Sequence, residues 1–275
     1  MKIVRHRLHN DDDSEIPFRE SPNQSAGIEP EFVVMHYTAG ASAESSIDWL
    51  TNPAARASAH VVVSRTGAIT QLVPMNRRAW HAGRSQWGSR VGLNGWSFGI
   101  ELDNCGRLER HLDGWTSAWG TRVEDAQVME AAHKHGGGVH GWHTFPPAQL
   151  HAAAEVANLL IRHYGLRDVL GHDDIAPSRK TDPGPAFPME SFRARVIGRG
   201  DDTGEERAQT TTALNIRMGP GTSFPKLEAS PLPAGTKVEV LARQGAWRHV
   251  FVVDLVDGEM DVEGWVHGSY LAPVG

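Results

Sequence analysis

The chain has 275 residues, 40% hydrophobic and 22% charged, enough for one large domain with its own core and a small second one. A formal net charge of -6 leaves no strongly basic surface and argues against nucleic acid as a main partner. The single cysteine, Cys105, excludes an internal disulfide, and no apolar stretch approaches the length of a membrane span.

The first residues, MKIVRHRLHNDDDSE, contain no apolar core of a secretory signal. The expectation is synthesis in the cytoplasm without a signal peptide, with action there or export by a non-classical route such as a holin, lysis or dedicated secretion. EFVVMHY (31–37) is a nearly continuous apolar, β-branched run and predicts a buried central strand. SAESSIDWLTN (42–52) predicts a short helix with Ser42 as N-cap. AHVVVSRTGAITQLVP (59–74) reads as a hairpin around Thr66-Gly67. SFGIEL (97–102) alternates, with Phe98, Ile100 and Leu102 on one face and Glu101 on the other. The stretch 104–145 is rich in Gly, His and Trp and weakly periodic, an insert with at most a hairpin. PAQLHAAAEVANLLIRHYG (147–165) carries apolar residues at helical spacing and stops at Gly165. DVLGH (168–172) is a further short strand. GRGDDTGEERAQT (198–210) reads as a linker, and the short strands with Gly/Pro turns after it predict a small β-barrel. The expected architecture is α/β, a mixed central sheet flanked by helices over 1–197, with a small all-β barrel over 211–275.

GHDDIAPSRKTDPGPAF (171–187) crowds ionisable groups between prolines. His36 and His172 stand at predicted strand ends, where α/β sheets build their sites, and Asp182 follows ten residues after His172. Two nitrogens and one oxygen suit a zinc ion with an open fourth position. Glu101, on the polar face of its strand, could act as general base, and Lys180 could stabilise an oxyanion. Taken singly, each has a plainer reading: a hydrogen-bonded structural histidine, a turn aspartate, half of an ion pair, a solvated lysine.

The segments VVMHYTAG, SAHVVVSRTGAITQLVP, RAWHAG, SFGIELDN and GHDDIAPSRKTDPGPAF follow one another as in the zinc N-acetylmuramoyl-L-alanine amidases, and residues 30–195 resemble that family. The resemblance implies Zn2+ held by His36, His172 and Asp182, a base at Glu101 and a stabilising Lys180. It further implies hydrolysis of the amide between N-acetylmuramic acid and L-alanine in peptidoglycan or muropeptides. Asp182 and Glu101 look like the AmpD-type branch. The phage-type branch has a cysteine ligand, and a tyrosine where this chain has Ala59. Arg56, His60, His81 and Asn94 fall at family positions and are the expected substrate contacts, although His60 and His81 read equally well as core histidines. A second substrate arginine has no clean equivalent, since Arg90 is two residues out of register. A non-catalytic peptidoglycan receptor on the same fold is the alternative, and loss of a metal ligand is its usual mark.

In the insert, Trp115, Trp119 and Trp142 read as a local core before a binding platform, and Cys105 as a buried small hydrophobe. HKH (133–135) and HGWH (140–143) lack an acid or cysteine at ligand spacing, which disfavours a second metal. LNIRMGPGTSF, GTKVEVL, GAWRHV and GWVHGSYL resemble a bacterial Src-homology-3-like domain, a kind thought to dock on peptidoglycan. Of Trp247, Trp265 and Tyr270, two are expected in its core. With 5 Lys+Arg against 7 Asp+Glu over 211–275, binding there would not be driven by positive charge.

Overall fold

Strand β1 (Phe32–Tyr37) runs through the middle of the larger unit with Val33, Val34 and Met35 fully buried, as its continuous apolar sequence requires. The computed structural model describes residues 1–112, 114–197, 207–254, 256 and 262–274. It divides the chain into two compact units, Met1–Ile197 and Gly198–Gly275. In the first unit β1 is followed by helix α1 (Ala43–Leu50), the hairpin β2 (Val61–Val63) and β3 (Ile69–Gln71), and β4 (Ser97–Leu102). Ser42 caps α1 through the backbone N–H of Ser45, and Gly67 takes the positive φ of the hairpin turn.

The insert is a sheet of its own, which the sequence reading did not anticipate. It consists of β5 (Arg107–His111), β6 (Gly114–Thr116), β7 (Arg122–Val123), β8 (Val128–Ala132) and β9 (Val139–His143), ordered β7-β6-β5-β9-β8. Trp115 and Trp142 are buried there as expected, but Trp119 is 73% exposed. Cys105 is only partly buried, against the cluster of Leu108, Trp115 and Val123. Helix α2 (Pro147–Tyr164) ends at Gly165 in the left-handed conformation, followed by β10 (Asp168–Gly171), helix α3 (His172–Ile175) and helix α4 (Met189–Ile197). His172 therefore opens a helix rather than closing a strand.

The central sheet has the order β10-β1-β4-β2-β3, with β10, β1, β4 and β2 parallel and β3 antiparallel at the edge. One face buries Val33, Phe98, Ile100 and Leu102 under Ala153, Val156 and Leu160 of α2 and Phe192 of α4. Leu160 is fully buried, so its truncation to alanine costs about 2–5 kcal/mol. The other face carries Glu101 and His36, set opposite each other by the β4–β1 register.

The second unit is a five-stranded antiparallel sheet, β14-β13-β12-β11-β15, where β11 is Arg207–Thr210, β12 Lys237–Gln244, β13 Trp247–Val252, β14 Glu263–His267 and β15 Leu271–Pro273. The expected linker thus stops short of 207, because Ala208 and Thr210 alternate inward and are buried. Residues 198–206 of that linker lie outside the described residues. The core is aliphatic, with Ile216, Leu232, Val238, Val250 and Val266 fully buried. None of Trp247, Trp265 and Tyr270 is buried, which corrects the expectation of a partly aromatic core. Trp247 and Tyr270 instead flank the His267 ring at 5.5 and 5.7 Å. Among the described residues no helix is long and apolar enough to cross a membrane.

Candidate metal centre

Three ionisable groups meet at one point. His36 Nδ1 lies 2.9 Å from His172 Nδ1 and 2.9 Å from Asp182 Oδ2, and His172 Nδ1 lies 2.9 Å from the same oxygen. All three residues are buried, with at most 7% of their surface exposed. Hydrogen bonding alone cannot satisfy this triangle, because an Nδ1–H on both rings would set two donors against each other.

The far sides of the rings fix which nitrogen carries the proton. His172 Nε2 donates to the Ala82 carbonyl at 3.1 Å, which leaves its Nδ1 lone pair pointing at the centre. His81 Nε2 donates to the Ser97 carbonyl at 3.1 Å, so His81 Nδ1 accepts from His36 Nε2 at 3.0 Å. The lone pair of His36 Nδ1 then also faces inward. His81 is seated against Gly99, where an added Cβ would come within 2.4 Å of the imidazole.

Electrostatics agree with this assignment. Burial, with His172 adding to it, lowers His36 to about 4, so the ring is neutral at physiological pH. Burial alone would raise Asp182, but the closeness of His172 and His36 outweighs it and the carboxylate is held well below its usual range. Burial pushes Glu101 up to about 8, reinforced by Asp182 and opposed by the Lys180 ammonium. Its Oε2 is buried and has no partner.

The short helix α3 is held from two sides. Asp173 N–H donates to the Asp182 carbonyl at 2.8 Å, and Gly171 N–H to Asp174 Oδ2 at 2.7 Å. From the insert, His133 Nε2 bonds Asp173 Oδ2 at 3.0 Å, His135 Nε2 donates to the Asp173 carbonyl at 2.8 Å, and Lys134 Nζ sits 2.8 Å from Asp173 Oδ1 and 2.6 Å from Asp174 Oδ1. The HKH segment therefore clamps the metal loop. Sequence reasoning missed this pairing, although the basic HKH and the acidic HDD are complementary. It missed Arg179 too, whose guanidinium ties the Ala82 and Arg84 carbonyls at 2.9 Å each.

Three of the four expected substrate contacts take supporting positions instead. His60 is fully buried, accepting from Gly99 N–H and facing the Arg77 carbonyl, both at 3.0 Å. His81 is 8% exposed and belongs to the relay behind His36. Asn94 Oδ1 accepts from the backbone N–H groups of His81 and Ala82, fixing the turn that carries both. Arg56 alone is exposed, at the end of a short 3-10 turn with φ of 48°.

A parallel sheet with a His/His/Asp cluster and a buried glutamate beside the ends of its strands offers the donor set of a candidate metal site. Residues 26–185, more than half of the chain, match the N-acetylmuramoyl-L-alanine amidase family, and the chain belongs to that family. Residues 212–272 match the bacterial SH3 domain. The N-acetylmuramoyl-L-alanine amidase AmiD of Escherichia coli (strain K12) is 32% identical over 222 residues, 78% of this chain and 65% of AmiD. The 1,6-anhydro-N-acetylmuramyl-L-alanine amidase AmpD of the same strain is 36% identical over 143 residues, 51% of this chain and 59% of AmpD. The chain thus spans somewhat less than two thirds of the length of these relatives. A solved structure of E. coli AmiD with the substrate anhydro-N-acetylmuramic acid-L-Ala-D-γ-Glu-L-Lys is similar with 31% identity and a TM-score of 0.48, covering 68% of this chain and 64% of that one.

Proposed function

We propose that the chain is a zinc-dependent N-acetylmuramoyl-L-alanine amidase, hydrolysing the amide between the lactyl group of N-acetylmuramic acid and the L-alanine of the stem peptide. One observation carries this reading: three buried donor atoms converge with their lone pairs inward, beside a buried carboxyl oxygen that has no partner. The donor set fits zinc, being two imidazole nitrogens and one carboxylate oxygen, the three protein ligands of a site that keeps its fourth position for water. When bound there, zinc supplies Lewis acidity that brings a water's pKa toward about 7.

The chain's own groups do the rest. Glu101 takes the proton released as water adds to the amide carbonyl and hands it to the departing nitrogen of L-alanine. Lys180 places a positive charge beside the developing oxyanion, and its field already reaches both His36 and Glu101. Arg56 is exposed, has no ion pair among the described residues and is a cation available to substrate. The bacterial SH3 unit would bring the site to polymeric wall material, with Trp247, His267 and Tyr270 as an accessible ring cluster.

Amine release from intact sacculi and from soluble anhydro-muropeptide, each with and without a zinc chelator, tests the proposal. Chelator-sensitive release from either substrate is expected. Its absence from both, with zinc loaded, returns the chain to the receptor reading.

A further inference from the structure

The turn 81–84 supports both histidines of the cluster. His81 accepts from His36 Nε2, and the Ala82 carbonyl accepts from His172 Nε2. Two donors that lie 136 positions apart in the chain are therefore referred to one piece of backbone.

Neither helix nor strand holds that backbone. The peptide that presents the Ala82 carbonyl leads into Gly83, which has a φ of 56°. Glycine accepts either sign of φ, so this peptide turns over at small cost unless it is tied, carrying its carbonyl away from His172. Side chains supply the ties. Asn94 Oδ1 accepts from the N–H groups of His81 and Ala82 at 3.0 and 2.6 Å. Ser85 Oγ donates to the Gly83 carbonyl at 3.0 Å. Arg179 Nη2 donates to the carbonyls of Ala82 and Arg84 at 2.9 Å each. A carbonyl oxygen has two lone pairs, so Ala82 serves Arg179 and His172 together. The guanidinium lies over Gly83, with Nη2 only 3.4 Å from where a Cβ would stand.

Arg179 belongs to the same loop as His172. Its own N–H and that of Lys180 both donate to the Ala176 carbonyl at 3.0 Å, just past the end of α3. The metal loop thus grips one carbonyl twice, once through an imidazole and once through a guanidinium.

We infer that Arg179 is a positioning residue for the metal centre: by holding the Ala82 carbonyl toward His172 it keeps the proton of that ring on Nε2 and leaves Nδ1 free for the metal. The inference takes its purpose from the zinc reading above, but the tautomer it concerns is a property of the metal-free fold. Charge and position pull in opposite directions here. Zinc is a dication, so removal of a nearby guanidinium, taken as charge alone, tightens zinc binding. Weaker binding has to come from lost positioning.

The test is Arg179→Ala, with Arg84→Ala as the control, because both side chains are exposed and Arg84 lies on the same turn. Chelator competition at neutral pH should show zinc held about tenfold more weakly by Arg179→Ala, and at least as tightly as wild type by Arg84→Ala. Zinc affinity in Arg179→Ala equal to or above wild type overturns the inference, as does an equal loss in both variants. Nitrogen-15 NMR of the histidine rings in zinc-free protein gives a readout that needs no metal. Wild type should show His172 as the Nε2–H tautomer alone, and Arg179→Ala should show a mixture of the two tautomers. An unchanged tautomer ends the inference whether or not zinc binds. If the wild type takes up no zinc, the zinc reading fails, and a mixture in the variant still sustains the positioning role.

Discussion

At Glu101 a single carboxyl carries two opposed demands. The proposed role as base needs it ionised, yet burial holds it protonated up to about 8 in the metal-free fold, against an ordinary 4.5. Over that window the folded state keeps a proton the unfolded chain has lost, so the metal-free protein loses stability as pH rises from about 4.5 to about 8. Glu101→Gln should remove this slope. Thermal melts of chelated protein should show the variant above the wild type at pH 9, with the gap closing at pH 5. Zinc, a dication beside the carboxylate, should narrow it. In turnover, Glu101→Gln should lose at least two orders of magnitude while still binding zinc, read by metal analysis after dialysis. A second prediction concerns His81, which touches no metal but sets the tautomer of His36. Gly99→Ala would drive a methyl into the imidazole and should weaken zinc binding by roughly 10–100-fold in a chelator competition. Unchanged affinity would show that the relay has no hold on the ligand. The His36, His172 and Asp182 cluster was legible because His36 lies near the end of an unmistakable apolar strand and His172 opens a segment dense in charge. The roles of His60, His81 and Asn94 were not, because a motif does not say whether a polar side chain faces solvent or a backbone carbonyl.

Among the elements, the insert teaches most. Its strands are two to five residues long, and β5 finds its partner β9 about thirty residues later. Only Leu108, Trp115 and Val123 form its small buried cluster, so the period-2 signal is too thin to read. The hairpin at Gly67, the Ser42 cap and the Gly165 stop were readable because each depends on local chemistry alone. The clamp from the insert onto α3 gives a third prediction. Lys134 is 43% exposed but Asp173 is buried, so Lys134→Ala takes the cation from Asp173 Oδ1 and leaves the carboxylate to His133 alone, which should cost about 1–2 kcal/mol after discounting for solvent. Zinc affinity should fall with it, since Asp173 N–H holds the Asp182 carbonyl. A variant that melts lower but binds zinc as tightly as wild type would confine the clamp to stability.

For the molecule as a whole, the two units have separate cores: an α/β layer under α2 and α4, and an aliphatic barrel. Chelation should therefore lower the melting of the first unit and leave that of the second in place. Calorimetric scans with and without chelator would show one transition moving and one fixed. A single transition shifting as a block would mean that the units unfold together. If the prediction holds, the metal site belongs to the stability of the first unit alone.

His36 is separated from His172 by 136 positions and from Asp182 by 146. No short peptide cut from this chain contains the full set. A ribosome must have released nearly the entire first unit before all three side chains can meet, so a chain stopped before Asp182 cannot assemble the cluster at all.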